Sequence, residues 1–376
     1  MINRERLITE FVRLTGFDAE SYEEAEIAAE LTRRLLSLGL SVSQDDAGNL
    51  YALLEGTTRG EPRLFAAHMD TVSPGKGKRA VLYSDGTIRS DGTTVLGADN
   101  VSGLVSILEA LTVIREEQLP HPPIEVLFTA AEEPYSRGCA SFDYSRLRSK
   151  DAYVLDLPGP VGTAAIAAPS ILSVEVTVRG RAAHAGFAPE DGINALTITA
   201  RALASLETGR IAPDTTVNFG LISGGVGKNI VPAEVSVHGE IRSLRHDAAL
   251  AQGEAIRTRF RQEADALGGE TEVTVTEELR AYRIPEDAPA VVRFRRALDE
   301  LGYGTARLIT TFGGSDNNRL AAHGLRGIVT ACAMENVHTT EEYTVISQLE
   351  RSAALTLQLM TMEESEDEGY PVLSSG

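Results

Sequence analysis

The chain has 376 residues, 43% hydrophobic and 24% charged, the balance of a soluble globular protein long enough for two domains. Thirty-five basic residues against 54 acidic ones leave a net charge of −19, which argues against a nucleic-acid partner because phosphates require a basic face. No run approaches the ~20 apolar residues that span a bilayer, no apolar segment follows the charges of Met1–Arg6, and Cys139 and Cys332 are too few for a disulfide framework.

No membrane association is therefore expected, and cytoplasmic residence is the default. Apolar residues recur at helical spacing over Glu5–Leu14 and Tyr22–Leu38, with Ser21 placed to cap the second helix. Runs that read as buried strands follow at Leu64–Ala67, Ile124–Thr129 and Ala152–Leu155, with the apolar helix Val101–Ile114 between the first two. Strands alternating with helices as far as Asp156 predict parallel pairing.

From about Ile171 the texture changes. Alternating strands at Ser173–Val178, Thr216–Ile222, Glu234–Arg242 and Glu272–Glu277 are interleaved with helices at Gly192–Leu206 and Asp247–Leu267. That β-α-β-β-α-β order is a split βαβ unit, able to fold alone as a ferredoxin-like four-stranded antiparallel sheet with two helices. The earlier pattern resumes with a helix at Pro289–Leu301, a strand at Ile328–Ala333 and a last helix at Val345–Met362. The expected class is α/β. A mostly parallel sheet flanked by helices spans 1–170 and 283–362, with an α+β domain inserted at 171–282. Glu363–Glu368 holds five acids in six residues and opens a tail, 363–376, expected to be disordered.

Chemistry-bearing residues gather at the ends of these runs: His68-Met69-Asp70, Gly97-Ala98-Asp99-Asn100, Glu132-Glu133, Asp156 and His338. Taken singly, each has an ordinary structural explanation. His68 and His338 could be a strand-end and a surface histidine, Asp99 a helix cap, Glu132-Glu133 a solvated pair and Asp156 a turn residue. Together they fall where ligands bind an open α/β sheet, beyond the carboxyl ends of its strands. Imidazole with carboxylates suits zinc, and also cobalt or manganese, whereas calcium or magnesium would want oxygen alone. Asp99, Glu133 and Asp156 would supply three negative charges against two divalent cations. Cations ~3.5–4 Å apart repel, so a bridging carboxylate is needed. Glu132 is then the natural general base, and Asp70 is suited to hold the outer nitrogen of His68. A phosphate loop at Gly75-Lys76-Gly77-Lys78 is excluded by its spacing and by the missing Ser or Thr.

With Ala67-His68-Met69-Asp70-Thr71-Val72, Leu155-Asp156 and Asn336-Val337-His338-Thr339, these motifs resemble a di-zinc metallopeptidase family over about residues 5–362. That family includes peptidase T, glutamate carboxypeptidase, aminoacylase and succinyl-diaminopimelate desuccinylase, and the likeness is greatest to peptidase T-like members. The resemblance implies that His68, Asp99 and Asp156 hold one metal and Asp99, Glu133 and His338 the other, with Asp99 bridging and Glu132 as base. It makes the inserted segment a lid that commonly serves for dimerisation, so a homodimer is expected. Within that lid His184 would stabilise the oxyanion, from its own chain or across the dimer, while Asn229 and Arg242 would grip the substrate's polar ends. Gly313-Gly314-Ser315-Asp316 resembles a substrate-facing loop, in which Asp316 could offer a carboxylate to a free amino group. Asp rather than Glu at 156 goes, in such families, with aminopeptidases and dipeptidases. One departure is Pro134-Tyr135, where many relatives have a glycine two residues after the glutamate pair.

The expected function is zinc-dependent hydrolysis of short peptides, releasing the N-terminal residue of di- or tripeptides. Two alternatives stand beside it: an N-acyl amino acid deacylase or carboxypeptidase, and a metal-free binding protein on the same fold. The spare base Glu132 argues against the last.

Overall fold

Four parallel strands, buried along almost their whole length, carry the architecture. In the computed structural model, which describes residues 1–363, they belong to a nine-stranded sheet. The order across it is Ser41–Gln44, Leu50–Leu54, Ile124–Thr129, Arg63–His68, Asp151–Leu157, Arg326–Ala331, Thr163–Ala168 and Tyr282–Arg283, with Arg307–Thr310 paired to Thr163–Ala168. The four middle strands from Ile124–Thr129 to Arg326–Ala331 run parallel, and the flanking pairs with Leu50–Leu54 and Thr163–Ala168 are antiparallel. Every residue of Arg63–His68 and Ile124–Thr129 is buried, which explains their nearly continuous apolar runs. Most of the acidic run Glu363–Glu368, and the tail beyond it, lies outside the described residues.

Contacts divide the chain into two units: Met1–Ile166 with Arg283–Thr310 and Ser315 onward, and Ala167–Tyr282 with Thr311–Gly314. The second unit is a five-stranded antiparallel sheet in the order Gly209–Ala212, Thr215–Gly224, Glu234–Ser243, Ser170–Arg179, Glu270–Leu279. Helices Ala195–Ala204 and His246–Leu267 cover it, and Val174, Val176, Ile198, Ile256 and Phe260 fill its core. Four strands are the expected ones. The fifth, Gly209–Ala212, escaped notice because it is short, largely exposed and without alternation.

Two local expectations fail for physical reasons. The second helix begins at Ala25, not Tyr22, because Tyr22 sits at φ 74° in the left-handed region. Ser21 therefore caps nothing, and its hydroxyl donates to Asp70 Oδ2 at 2.7 Å. Asp99 is no cap either. Asp99 and Asn100 have non-helical angles at the start of Ala98–Glu117, and regular helix runs only from Val101.

That helix is buried from Ala98 to Ile114 and packs against Arg63–His68 on one side and Ile346–Thr361 on another. Gly103 permits the close approach: a Cβ there would lie 2.4 Å from Asn100 Oδ1, 2.6 Å from the Leu155 carbonyl and 3.1 Å from Ala67 Cβ. Gly103→Ala should push the helix off the strand ends and destabilise the protein by about 1–3 kcal/mol. Denaturant unfolding checks this, and an unchanged midpoint would show that the contact can relax freely.

Candidate metal centre

His68 ends its strand, and Met69 N–H donates to the Thr129 carbonyl at 2.8 Å, tying that end to the start of the Glu132 loop. Asp156 lies at a register shift: Thr330 pairs Leu155 and Ala331 pairs Leu157. This bulge turns the Asp156 carboxylate out of the ladder. His338 follows the strand Arg326–Ala331 in a loop where Ala333, Asn336 and His338 all have positive φ, at 73°, 52° and 63°. Non-glycine residues held there cost of order 1–3 kcal/mol each and persist only where the surroundings fix them.

These side chains converge on Asp99. Its Oδ1 lies 2.8 Å from His68 Nε2 and its Oδ2 lies 3.2 Å from His338 Nε2. His68 Nε2 also faces Asp156 Oδ1 at 3.4 Å, and His338 Nε2 faces Glu133 Oε2 at 3.0 Å. Donor atoms of His68, Asp99 and Glu133, and likewise of His68, Glu132 and Asp156, lie within 4.8 Å of one another.

Around this set, two buried carboxylates bind backbone amides. Asp70 Oδ1 accepts from Glu132 N–H at 2.9 Å and Oδ2 from Glu133 N–H at 3.2 Å, while its carbonyl meets His68 Nδ1 at 2.9 Å. Glu342 accepts from Gly97 N–H at 2.7 Å and from Asp99 N–H at 2.8 Å. Asn100 Nδ2 donates to Asp156 Oδ1 at 3.3 Å. Sequence reasoning missed Ser21, Asn100 and Glu342. Glu342 lies four residues beyond His338, in an acidic pair Glu341-Glu342 that carries no motif of its own.

The electrostatics are those of an anionic crowd. Burial, reinforced by Asp156, pushes Glu132 well above its ordinary value, and burial raises Glu133 as well. Asp156 is pushed up to about 7 by burial, against the pull of His68. Burial also disfavours charge on Asp99, but His338 and His68 outweigh it and hold that carboxyl below the usual range. His338 is raised to about 10 by its hydrogen bonds to Asp99 and Glu133. Glu133 Oε1 is buried with no hydrogen-bond partner among the described residues. Four carboxylates, two imidazoles and an orphaned acceptor fit a divalent cation, with a mixed nitrogen and oxygen donor set.

Of the remaining expected site residues, three belong to the second unit. His184 and Asn229 are exposed in the second unit, where Ala185 N–H donates to the Asn229 carbonyl at 2.9 Å. Gly186 and Phe187 N–H both donate to His184 Nδ1, at 3.1 and 3.2 Å, so the ring proton sits on Nε2. The Arg242 guanidinium is engaged twice by Glu240, at 2.8 and 3.0 Å, and donates to the Phe312 carbonyl at 2.9 Å. Ser315 and Asp316 do not form an open substrate loop. Ser315 caps the helix Asp316–Ala322, and Asp316, 1% exposed, accepts from Thr129 Oγ1 at 2.5 Å. Its carboxylate is thus enclosed in this structure.

Cation loading must displace the protons these groups hold. At pH 7 His338 retains its proton and Asp156 is part protonated, so binding should release about one proton or more per chain. Affinity should rise with pH as these protons are lost. Calorimetry with zinc or manganese in two buffers of different ionisation heat measures the release, and a heat independent of buffer would contradict it.

Comparison with known proteins bears on the family. Residues 49–160 match peptidase family M28 and residues 166–268 match the peptidase dimerisation domain of the M20 type. The structure of aminopeptidase PepT from Bacillus cereus superposes with a TM-score of 0.88 at 38% identity, covering 96% of this chain and 98% of that one. A tripeptidase from Staphylococcus aureus superposes with a TM-score of 0.92 at 32% identity, with the same coverage. The protein YqjE of Bacillus subtilis is 36% identical over 368 residues, covering 96% of this chain and 99% of its own. Sequence, fold and side-chain cluster thus agree, and the chain belongs to the M20 family of metallopeptidases, in the group that contains peptidase T.

Proposed function

We propose that this metallopeptidase works with two divalent ions, zinc in the first instance with cobalt or manganese as substitutes, and releases the N-terminal residue of di- or tripeptides. The observation that carries the proposal is the divided carboxylate of Asp99, one oxygen toward His68 and the other toward His338. Two cations at such spacing need a shared anion between them. His68, Asp99 and Asp156 would hold one ion, and Asp99, Glu133 and His338 the other. When bound, the ions polarise the scissile carbonyl and acidify a water.

Glu132 takes the water's proton and returns it to the leaving amine. Its burial among carboxylates keeps it basic, and Asp70 fixes its backbone through the amide at 2.9 Å. His184, its proton held on Nε2 by two amides, is prepared as a donor to the developing oxyanion. Asn229 and Arg242 complete the proposal as substrate contacts, although Arg242 would first have to share its hold on Glu240. The names aminopeptidase and tripeptidase borne by the two similar structures support the N-terminal, short-peptide reading, as does Asp rather than Glu at 156.

A homodimer through the second unit belongs to the same proposal. It is supported by the match to a dimerisation domain and by Leu221 and Ile222, which stand exposed on the strand Thr215–Gly224 beyond its pairing with Gly209–Ala212. Cytoplasmic residence goes with it, supported by two buried cysteines that remain free thiols; no helix among the described residues is long and apolar enough to cross a membrane.

Glu132→Gln should lower kcat by about 10²–10⁴-fold while leaving two metal equivalents bound, whereas Asp99→Ala should lose both metal and activity. Turnover with elemental analysis separates the two, and near-normal kcat in Glu132→Gln would remove the base. The substrate claim is checked by offering free tripeptides beside N-acetyl amino acids. Tripeptides should lose their first residue; cleavage of the acetylated compounds alone would make this a deacylase.

A further inference from the structure

The turn that follows Glu132-Glu133 is built in an unusual way. Ser136 N–H donates to the Glu132 carbonyl at 2.6 Å and Arg137 N–H to the Ala131 carbonyl at 2.8 Å, closing the chain back on itself. Tyr135 and Ser136 take φ of 68° and 53°, two successive side-chain-bearing residues in the region that favours glycine. Such strain marks a conformation that its surroundings impose.

Ser136 stands at the N-cap of the short helix Arg137–Ser141, where a serine hydroxyl usually accepts a hydrogen bond from the first turn. Here it caps nothing. The side chain is fully buried, and its hydroxyl donates to Glu132 Oε1 at 3.1 Å. It also lies against the carboxylate of Asp316, which Thr129 holds from another side. The hydroxyl stands between two carboxyl groups, within hydrogen-bond distance of Glu132 Oε1 and also drawn on by Asp316.

We infer that Ser136 is a positioning residue for the general base. By engaging Oε1 it fixes the Glu132 rotamer and leaves Oε2 as the oxygen that receives the water's proton. The inference rests on Glu132 acting as base, and it adds a residue that makes no contact with substrate. It also accounts for the strained turn: a relaxed turn would swing the hydroxyl away from the carboxylate.

Ser136→Gly tests it, because glycine accepts the left-handed backbone without strain while removing the hydroxyl. A hydrogen bond to a charged group removed from the reaction predicts kcat about 10-fold lower, with KM within about twofold and metal content unchanged. Ser136→Ala should show the same kcat loss. Placed in a Glu132→Gln background, Ser136→Gly should add nothing, since the group it positions is already gone. Wild-type kcat in Ser136→Gly beside an impaired Glu132→Gln would overturn this inference and leave the base standing. An undiminished loss in the double variant would also overturn it, by showing that Ser136 acts through something other than Glu132. Near-normal kcat in Glu132→Gln would remove the base and this inference together.

Discussion

The mutual repulsion of buried carboxylates governs the organisation of this centre. Asp99, Glu132, Glu133 and Asp156 meet at the carboxyl ends of parallel strands, and two histidines cannot neutralise them. Removing one such anion from water costs several kcal/mol, so an unbalanced group would relax, protonate or recruit a cation. The raised values of Asp156, Glu132 and Glu133 record that pressure. Asp99 escapes it because each of its oxygens faces its own imidazole. Much of the surrounding structure serves to keep the crowd from relaxing.

Two further acids show how this is done. Asp70 and Glu342 are buried, yet each spends its oxygens largely on backbone N–H groups. Asp70 braces the His68 strand end against the Glu132-Glu133 loop. Glu342 braces the segment after His338 against the Asp99 turn. Each brace thus joins two segments of the cluster distant in sequence and replaces water with fixed dipoles. Glu342 is still pushed up to about 7 by its burial, so the amides offset only part of the cost.

The legible part of this protein was the part that follows from period and strand ends. Buried runs such as Ile124–Thr129 read as strands, and a His or acid placed just beyond several of them points to one crevice. The α/β layout and the alternating strands of the second unit were visible for the same reason. What stayed hidden depends on tertiary contacts. Ser21 reads as a cap until Tyr22 turns left-handed, and its hydroxyl then finds Asp70, 49 residues away. Glu342 looks solvated until its carboxylate is seen on two amides about 245 residues earlier. Asp316 resembles a residue of a substrate-facing loop, and only the structure shows that Ser315 caps its helix and that Thr129 holds its carboxylate. Local chemistry identifies candidates; only the packed chain decides which carboxylates face a ligand and which face an amide.

That distinction bears on how the fold tolerates a strained and charged site. The helix Ala98–Glu117 has its apolar surface buried nearly all round, and Gly103 lets it lie directly on the strands that carry His68 and Asp156. Positive φ gathers in short loops, at Ala131, Tyr135, Ser136, Ala333, Asn336 and His338, while the helix is regular from Val101 onward. A rigid floor with strained loops above it can hold several like charges at hydrogen-bond distance. A flexible floor would let the loops relax and the carboxylates part. The positive φ values and the close-packed glycine are therefore two sides of one constraint: the scaffold's packing energy keeps apart from water, and close to each other, groups that would otherwise separate.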